Sequence, residues 1–390
     1  MLNNESFLII VENRVYMKNK SIIFLIIAFF LIFAGFDSSQ QYLSSIFYTR
    51  NFEMISFIAL SILYITSIPA NFIAPFFCRK FGLKKSLFFS SLAYPVFIIS
   101  IVLRSEIMLY ISSVIIAFAG SMLWISHGTY LTRSTTNKNR GFYSGLSFSF
   151  LVIGSAITIF FMSFFVEKVG YNVIYFILFL IACLGSISLL FISDIDTVEK
   201  HALHPIKLIK KKSMLLFAPF IISSFFMMGS MISRIPIRIT DLFGLSYVGK
   251  IISIYGVTIC IFSFLVGKLS DKYGFNRFAY ISVLSSITGF FLILVSHSVL
   301  MFSIGIFLIG LAHSSFLGLN YPILHSLFEK EVDSAMALKG VFCCMGIATP
   351  LVLSMFVGFQ VIVITGIVLS VISLLSIKHL FSIEKINHKY

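Results

Sequence analysis

Ile22–Phe36, IIFLIIAFFLIFAGF, is an unbroken run of fifteen apolar or small residues, and it leads straight into Gly35–Ser45, GFDSSQQYLSS. The apolar pattern then resumes at Ile46 and Phe47. A helix through this stretch puts Asp37, Gln40, Gln41 and Ser44 at i, i+3, i+4 and i+7, a single polar stripe on one face. Counted from Ser21 at 1.5 Å per residue, Asp37 lies about 24 Å into the helix, inside a bilayer core roughly 30 Å thick. An acid at that depth costs at least about 2.5–3.5 kcal/mol and is tolerated when it faces a cavity or a partner. The alternative is an acid that snorkels at a helix end. The stripe predicts a membrane span with Asp37 facing a solute pathway.

Composition extends that reading to the whole chain. Of 390 residues, 58% are hydrophobic and 11% charged, with a mean hydropathy of +1.02. Soluble domains carry about 25% charged residues, so the class is a polytopic membrane protein. A net charge of +14 does not indicate nucleic acid, because the charges sit in short gaps between apolar runs and form no basic face. Some of that charge suits anionic lipid headgroups of the bilayer. Cys78, Cys183, Cys260, Cys343 and Cys344 show no metal-ligand spacing and read as free thiols within spans. Met1–Lys20 is mixed polar and carries no cleavable signal, and Met17 is an alternative start.

Cutting at the charged gaps gives twelve spans, at 21–48, 53–76, 86–103, 106–131, 142–165, 171–192, 214–238, 246–267, 278–296, 299–327, 338–357 and 359–378. The expected fold class is all-α membrane protein, twelve transmembrane helices in two pseudo-symmetric six-helix bundles. The bundles would be 1–192 and 214–390, joined by the charged linker 193–213, SDIDTVEKHALHPIKLIKKKS. With both termini in the cytoplasm, 23 of the 29 Lys and Arg fall on that side, as the positive-inside rule requires. The other six are Arg50, Arg104, Lys168, Arg234, Arg238 and Lys250. No glycosylation sequon falls in an outer loop, which fits a bacterial inner membrane.

The halves echo one another. Gly82 in CRKFGLKK (78–85) aligns with Gly274 in GKLSDKYGFNR (267–277) at an offset of 192. Gly120 and Gly128 align with Gly310 and Gly318 at an offset of 190. With the six-plus-six division, these pairs predict an internal repeat.

Gly267-Lys-Leu-Ser-Asp271-Lys272-Tyr-Gly274-Phe-Asn-Arg277 resembles the loop signature of the major facilitator superfamily, G-x-x-x-D-K/R-x-G-x-x-R/K. Gly274 permits the backbone reversal there, and Asp271 suits a cation or a helix N-terminus. The resemblance implies a cytoplasmic gating loop, with Arg79, Lys80 and Gly82 as its first-half counterpart. That half departs from the pattern, with Pro75 where the leading glycine would stand and Arg79 where the acid would be. The segments Asn71–Pro75 and Lys80–Lys84 look like the "uncoordinated ninety-three" branch of the superfamily. So do GSMLWISHGTYLT (120–132) and Asn139-Arg140-Gly141, with His127 where that branch usually has Gln. The Phe36–Leu43 stretch and Tyr94-Pro95 also resemble it. The branch contains proteins thought to move solutes and others that act as accessory or trafficking partners of receptors and channels.

The superfamily resemblance implies that spans 1, 4, 7 and 10 line a central cavity. Span 1 offers Asp37, Gln40, Gln41 and Ser44. Span 4 offers Trp124, His127 and Tyr130, span 7 ends in Arg234 and Arg238 around Pro236, and span 10 carries His313, Asn320 and Tyr321. Each has a plainer alternative. Trp124 suits an interfacial belt, His127 a carbonyl cap, Arg234 and Arg238 an outer loop, and His313 a hydrogen-bonded packing position. Asp37 is the one acid of 15 placed well within a span. A dry cavity and a neighbouring Arg234 make opposite predictions about its charge.

No nucleotide-binding loop, nucleophile–base pair or metal cluster stands out, so the expectation is no enzyme and no cofactor. Span 5 lacks the Gly-Pro signature of drug–proton exchange in this superfamily. The reading is a secondary transporter, working as a monomer, for a small polar or anionic solute such as an organic acid, amino acid or metal-chelating metabolite. Proton coupling would run through Asp37. The alternative is a non-transporting membrane partner.

Overall fold

Hydrocarbon offers the backbone no hydrogen bonds, so each apolar run must close its own ladder and fold as a helix. The computed structural model of the chain describes residues 4–103, 105–135, 140–195, 205–328 and 332–384. The side chains of residues 4–19, Arg140, Asp271 and Tyr321 are among those outside that description, as are linker residues 196–204 and Asn139. Among the described residues twelve helices are long and apolar enough to cross a membrane. They are Lys20–Tyr48, Glu53–Phe81, Leu83–Val102, Glu106–Leu131, Leu146–Val169, Tyr171–Phe191, Lys212–Phe243, Ser246–Ser270, Phe275–Val295, Val299–Asn320, Ala335–Leu353 and Phe359–Ile383. We number them spans 1 to 12. All twelve expected spans are present, with ends shifted by a few residues. Hydroxyls within them bond back to their own helix, as Ser67 Oγ does to the Leu63 carbonyl at 2.8 Å.

Span 6 closes with a 3-10 turn, Leu189–Phe191, and two other spans divide into separate α-helices. Span 7, expected as one helix over 214–238, is Lys212–Ser230 followed by Arg234–Phe243. Pro236 explains the break: its ring would clash with the carbonyl of Ile232, and it has no N–H to donate. In the first turn of the new helix that missing donor costs nothing. Span 3 divides for the same reason, into Leu83–Ser91 and Ala93–Val102 ahead of Pro95.

Packing repeats with a shift of six. Span 1 packs on spans 5 and 6, span 2 on span 4, and span 3 on spans 4 and 6. The same pairs recur as span 7 on 11 and 12, span 8 on 10, and span 9 on 10 and 12. The bundles meet where span 2 packs on span 11 and span 5 on span 8, pairs that the same shift exchanges. Both bundles begin and end on one side, the linker end. There Ser21 Oγ at the start of span 1 lies 3.0 Å from Ser193 Oγ after span 6. The opposite side is the far end.

The aligned glycines of the repeat do the same job. Gly82 (φ +82°) and Gly274 (φ +96°) each end one helix and begin the next at a positive φ, which side chains adopt only under strain. Gly274→Ala is therefore expected to destabilise the protein by about 1–3 kcal/mol. Gly267→Ala, in the same motif, should be neutral or stabilising, because it is helical and nothing lies within 4 Å of the added Cβ. Thermal unfolding of the two variants checks the contrast, and equal melting temperatures would refute it.

Candidate functional site

Span 1 is a central helix, packed by spans 2, 3, 4, 5 and 6 and by the far piece of span 7. Its stripe changes character along its length. Ile23 (54%) and Ile27 (41%) are exposed near the linker end, Asp37 and Gln41 are partly accessible, and Ser44 and Ser45 are fully buried. One face of span 4 behaves alike: Ser113, Ala117 and Ser121 are buried, whereas Trp124 (37%) and Gly128 are exposed. Both central helices thus turn a face that is sealed toward the far end and accessible toward the linker end.

Asp37 stands where that change occurs, at a junction of both bundles. Next to it Ser38 Oγ donates to the Ser155 carbonyl of span 5 at 3.3 Å. The following residue, Ala156, abuts Gly256 of span 8 so closely that a Cβ there would stand 2.7 Å from its own. Tyr255 precedes Gly256, and Tyr94 of span 3 packs 4.7 Å from Phe36, the residue before Asp37. The residues on either side of Asp37, Phe36 and Ser38, are thus covered by other spans. Gln40 Oε1 accepts from Tyr64 OH at 2.9 Å, and Tyr175 OH holds the Ser39 carbonyl at 2.8 Å. Gln41 Oε1, Ser44 Oγ and Tyr255 OH are buried with no hydrogen-bond partner. Such groups cost about 1–3 kcal/mol each when left unmet.

Aromatic rings cover the linker-end approach to Asp37. Trp124 lies 5.1 Å from Phe33 and is stacked at 5.9 Å on Phe148. Tyr94 packs edge-on against Phe33 at 5.3 Å and Phe36 at 4.7 Å. Tyr64 and Tyr255 went unnoticed in the sequence; a tyrosine hydroxyl deep in an apolar run was the signal available.

Most of the other expected residues lie apart from this layer. His127 Nε2 pairs with Ser147 Oγ at 2.9 Å, with its ring 4.1 Å from Phe29, inside the first bundle. Tyr130 OH donates to the Ser193 carbonyl at 2.8 Å, at the linker end. His313 Nδ1 meets Ser224 Oγ at 3.0 Å, joining span 10 to span 7, and its ring is 5.9 Å from Tyr255. Asn320 Nδ2 bonds the Leu317 carbonyl of its own helix at 2.8 Å. The side chains of Tyr321 and Asp271 fall outside the described residues. Arg79 Nε bonds the Pro75 carbonyl at 3.2 Å, and Lys80, Lys272 and Arg277 lie at the surface or only partly covered. A small cavity lined by Ser223, Ser224, Ser282 and Ser286 lies within the second bundle.

Arg234 and Arg238 belong to the far end. Arg234 donates to the Ser354 carbonyl and lies 4.8 Å over the Phe57 ring of the first bundle. Arg238 lies 5.5 Å over Phe359. Further bonds fasten the bundles on this side. Gly249 N–H donates to Tyr42 OH at 3.0 Å, and Lys250 Nζ sits 5.3 Å over Phe164. Glu167 Oε1 accepts from Ser246 N–H at 3.0 Å, a carboxylate of one bundle at the N-terminus of a helix of the other.

Comparison with solved structures gives the fold a context. A point mutant of the nucleoside transporter NupG superposes with a TM-score of 0.70 at 15% identity, over 93% of this chain and 99% of that one. A point mutant of the peptide transporter POT, in complex with alafosfalin, gives 0.70 at 12% identity, over 93% and 95%. Among curated proteins, UNC93-like protein MFSD11 of Xenopus laevis is 27% identical over 137 residues, 34% of this chain and 31% of that protein. UNC93-like protein 3 of Arabidopsis thaliana is 28% identical over 106 residues, 27% and 22% of the two. These matches span no more than about a third of either relative, and they agree with the branch resemblance of the first half. The profile described as Major Facilitator Superfamily matches residues 22–251 and 243–389; with twelve spans, a six-fold shift in packing and that match over nearly its whole length, the chain belongs to the Major Facilitator Superfamily.

Proposed function

We propose that this chain is a secondary active transporter in which bundles 1–192 and 214–390, joined by the linker 193–213, rock about the Asp37 layer to carry a small polar solute. Family membership points to transport and not to catalysis. The observation that carries the reading is the incompletely paired polar layer at the seam between bundles, with the far end fastened above it. A midplane site between two repeats is what alternating access requires. Asp37 is the coupling group, exchanging a proton as the site is presented to one side and then the other. The linker end faces the cytoplasm, a placement supported by the 23 basic residues on that side. An anionic solute has less support, because Arg234 and Arg238 lie at the far end, over Phe57 and Phe359, and His127 and His313 pair with serines.

Rocking must part Glu167 from Ser246. In a background with the five native cysteines replaced, Glu167→Cys together with Ser246→Cys should cross-link on oxidation. Uptake into proteoliposomes should then stop and return on reduction. Full uptake by the cross-linked protein would exclude the mechanism.

A further inference from the structure

Spans 7 and 9 are held together through spans 10 and 12. Between them lies the cavity lined by Ser223 and Ser224 of span 7 and by Ser282 and Ser286 of span 9. Phe220, Met227 and Val283 complete the wall, and every one of these side chains is buried. The cavity measures about 10 Å³ for the centre of a water-sized sphere, and one water needs about 10–15 Å³ on that measure.

The directions of the hydrogen bonds around it say what it can hold. Ser282 Oγ gives its proton to the Ala312 carbonyl at 2.7 Å. Ser370 Oγ of span 12 gives its own to the Gly366 carbonyl at 2.8 Å, so in the 2.8 Å contact of Ser286 Oγ with Ser370 Oγ the donor is Ser286. Ser282 and Ser286, one turn apart on span 9, are thus left with lone pairs to offer the cavity. Ser224 is the reverse. His313 Nδ1 lies 2.9 Å from the Ser224 carbonyl and 3.0 Å from Ser224 Oγ. A carbonyl can only accept, so Nδ1 carries the proton, and Ser224 Oγ, meeting that same N–H, keeps its own proton to give.

Two acceptors and one donor around a space for one small molecule match water, which makes about three bonds when buried. None of the described lining side chains is an acid, so a metal ion would sit there uncompensated. The repeat shows where the room comes from. Counted from Gly82 and Gly274, which stand 192 apart and open spans 3 and 9, Ser286 corresponds to Tyr94. The Tyr94 ring fills the first bundle at that point, against Phe33 and Phe36 of span 1; a serine in its place leaves a gap beside span 7.

We infer that this cavity is a binding site for one structural water, which donates to Ser282 and Ser286, accepts from Ser224 and so ties span 7 to span 9. The water braces the second bundle from within and fixes the residue that holds His313. The site stands whether or not the chain is a transporter.

A synchrotron X-ray pulse turns a bound water into a hydroxyl radical where it sits, and the radical oxidises the side chain beside it. In full-length protein in nanodiscs, Met227 (2% exposed) is compared with Met214 (0%) and Met231 (1%), which are as buried but do not line the cavity. Oxidation of Met227 to the sulfoxide should be about fivefold faster or more than that of the other two. Ser286→Val, which fills the space and removes an acceptor, should bring Met227 down to their rate. A second measurement needs no radical. Ser224 and Ser286 bond to different neighbours, so only a shared water makes their loss non-additive. The melting temperature of Ser224→Ala/Ser286→Ala should therefore fall by less than the two single losses together. Equal oxidation of the three methionines, an unchanged Met227 rate in folded Ser286→Val, or strictly additive melting losses would overturn the inference. If Ser286→Val does not fold, the alanine variants carry the test.

Discussion

Asp37→Asn is expected to reduce pH-gradient-driven uptake to the level of empty proteoliposomes while leaving a folded, monodisperse protein. The variant keeps the size and most of the hydrogen-bonding capacity of the side chain but can no longer gain or lose a proton. Coupling free energies in two-state proteins are about 1–3 kcal/mol, or about 5–150-fold, and this change removes the whole of that term. Folding should survive because Asp37 makes none of the bonds that pin span 1. Those come from Ser38 to Ser155, Gln40 to Tyr64 and Tyr175 to Ser39. Asparagine also adds a donor one turn from the unmet Gln41 Oε1. Uptake that still follows the pH gradient in this variant would remove Asp37 from the coupling step.

Gly249→Val should hold the far end open. A Cβ at Gly249 would lie 2.1 Å from the Ile159 carbonyl, 2.6 Å from Tyr42 OH and 2.9 Å from Ser163 Cβ. Two of those obstacles are a backbone carbonyl and a Cβ of span 5, so neither can swing aside. Overpacking of this kind costs about 1–3 kcal/mol or more, and displacing Tyr42 from the Gly249 N–H adds about 0.5–1.5 kcal/mol. The penalty falls only on the state closed at the far end, because the contact joins the two bundles. A shift of about 2.7 kcal/mol moves such an equilibrium about a hundredfold. Reaction of a reporter cysteine, Ser45→Cys, with an impermeant maleimide from the far side should accelerate at least tenfold in the valine variant. Ser45 is fully buried in the closed state. An unchanged labelling rate in a folded, inactive protein would show that Gly249 serves assembly and not the gate.

How much of this was legible in the sequence depended on whether the cause was local. The spans were legible because length and apolarity suffice in hydrocarbon, and the Gly82 and Gly274 turns because a reversal needs a residue that tolerates positive φ. Asp37 stood out for the same reason, a charge where lipid forbids one. The partners were not legible. Nothing in the sequence near His127 or His313 names Ser147 or Ser224, and Tyr255 reaches the Asp37 layer only through the approach of Gly256 to Ala156. The sequence allows Arg234 and Arg238 either a cavity or an outer loop; their contacts with Phe57, Ser354 and Phe359 arise from the break in span 7. Pro236 is plain in the sequence, but where the break it causes leaves the arginines depends on the packing of both bundles.

That break has a mechanical consequence. Met231–Ser233 interrupts the ladder of span 7, so Arg234–Phe243 can swivel as a short lever while Lys212–Ser230 stays clamped to span 11 by the tight seat of Gly229 against Ile347. If the bundles rock as proposed, the far-end contacts need only a few dihedrals to yield, and the deeper half of the same crossing keeps its grip meanwhile.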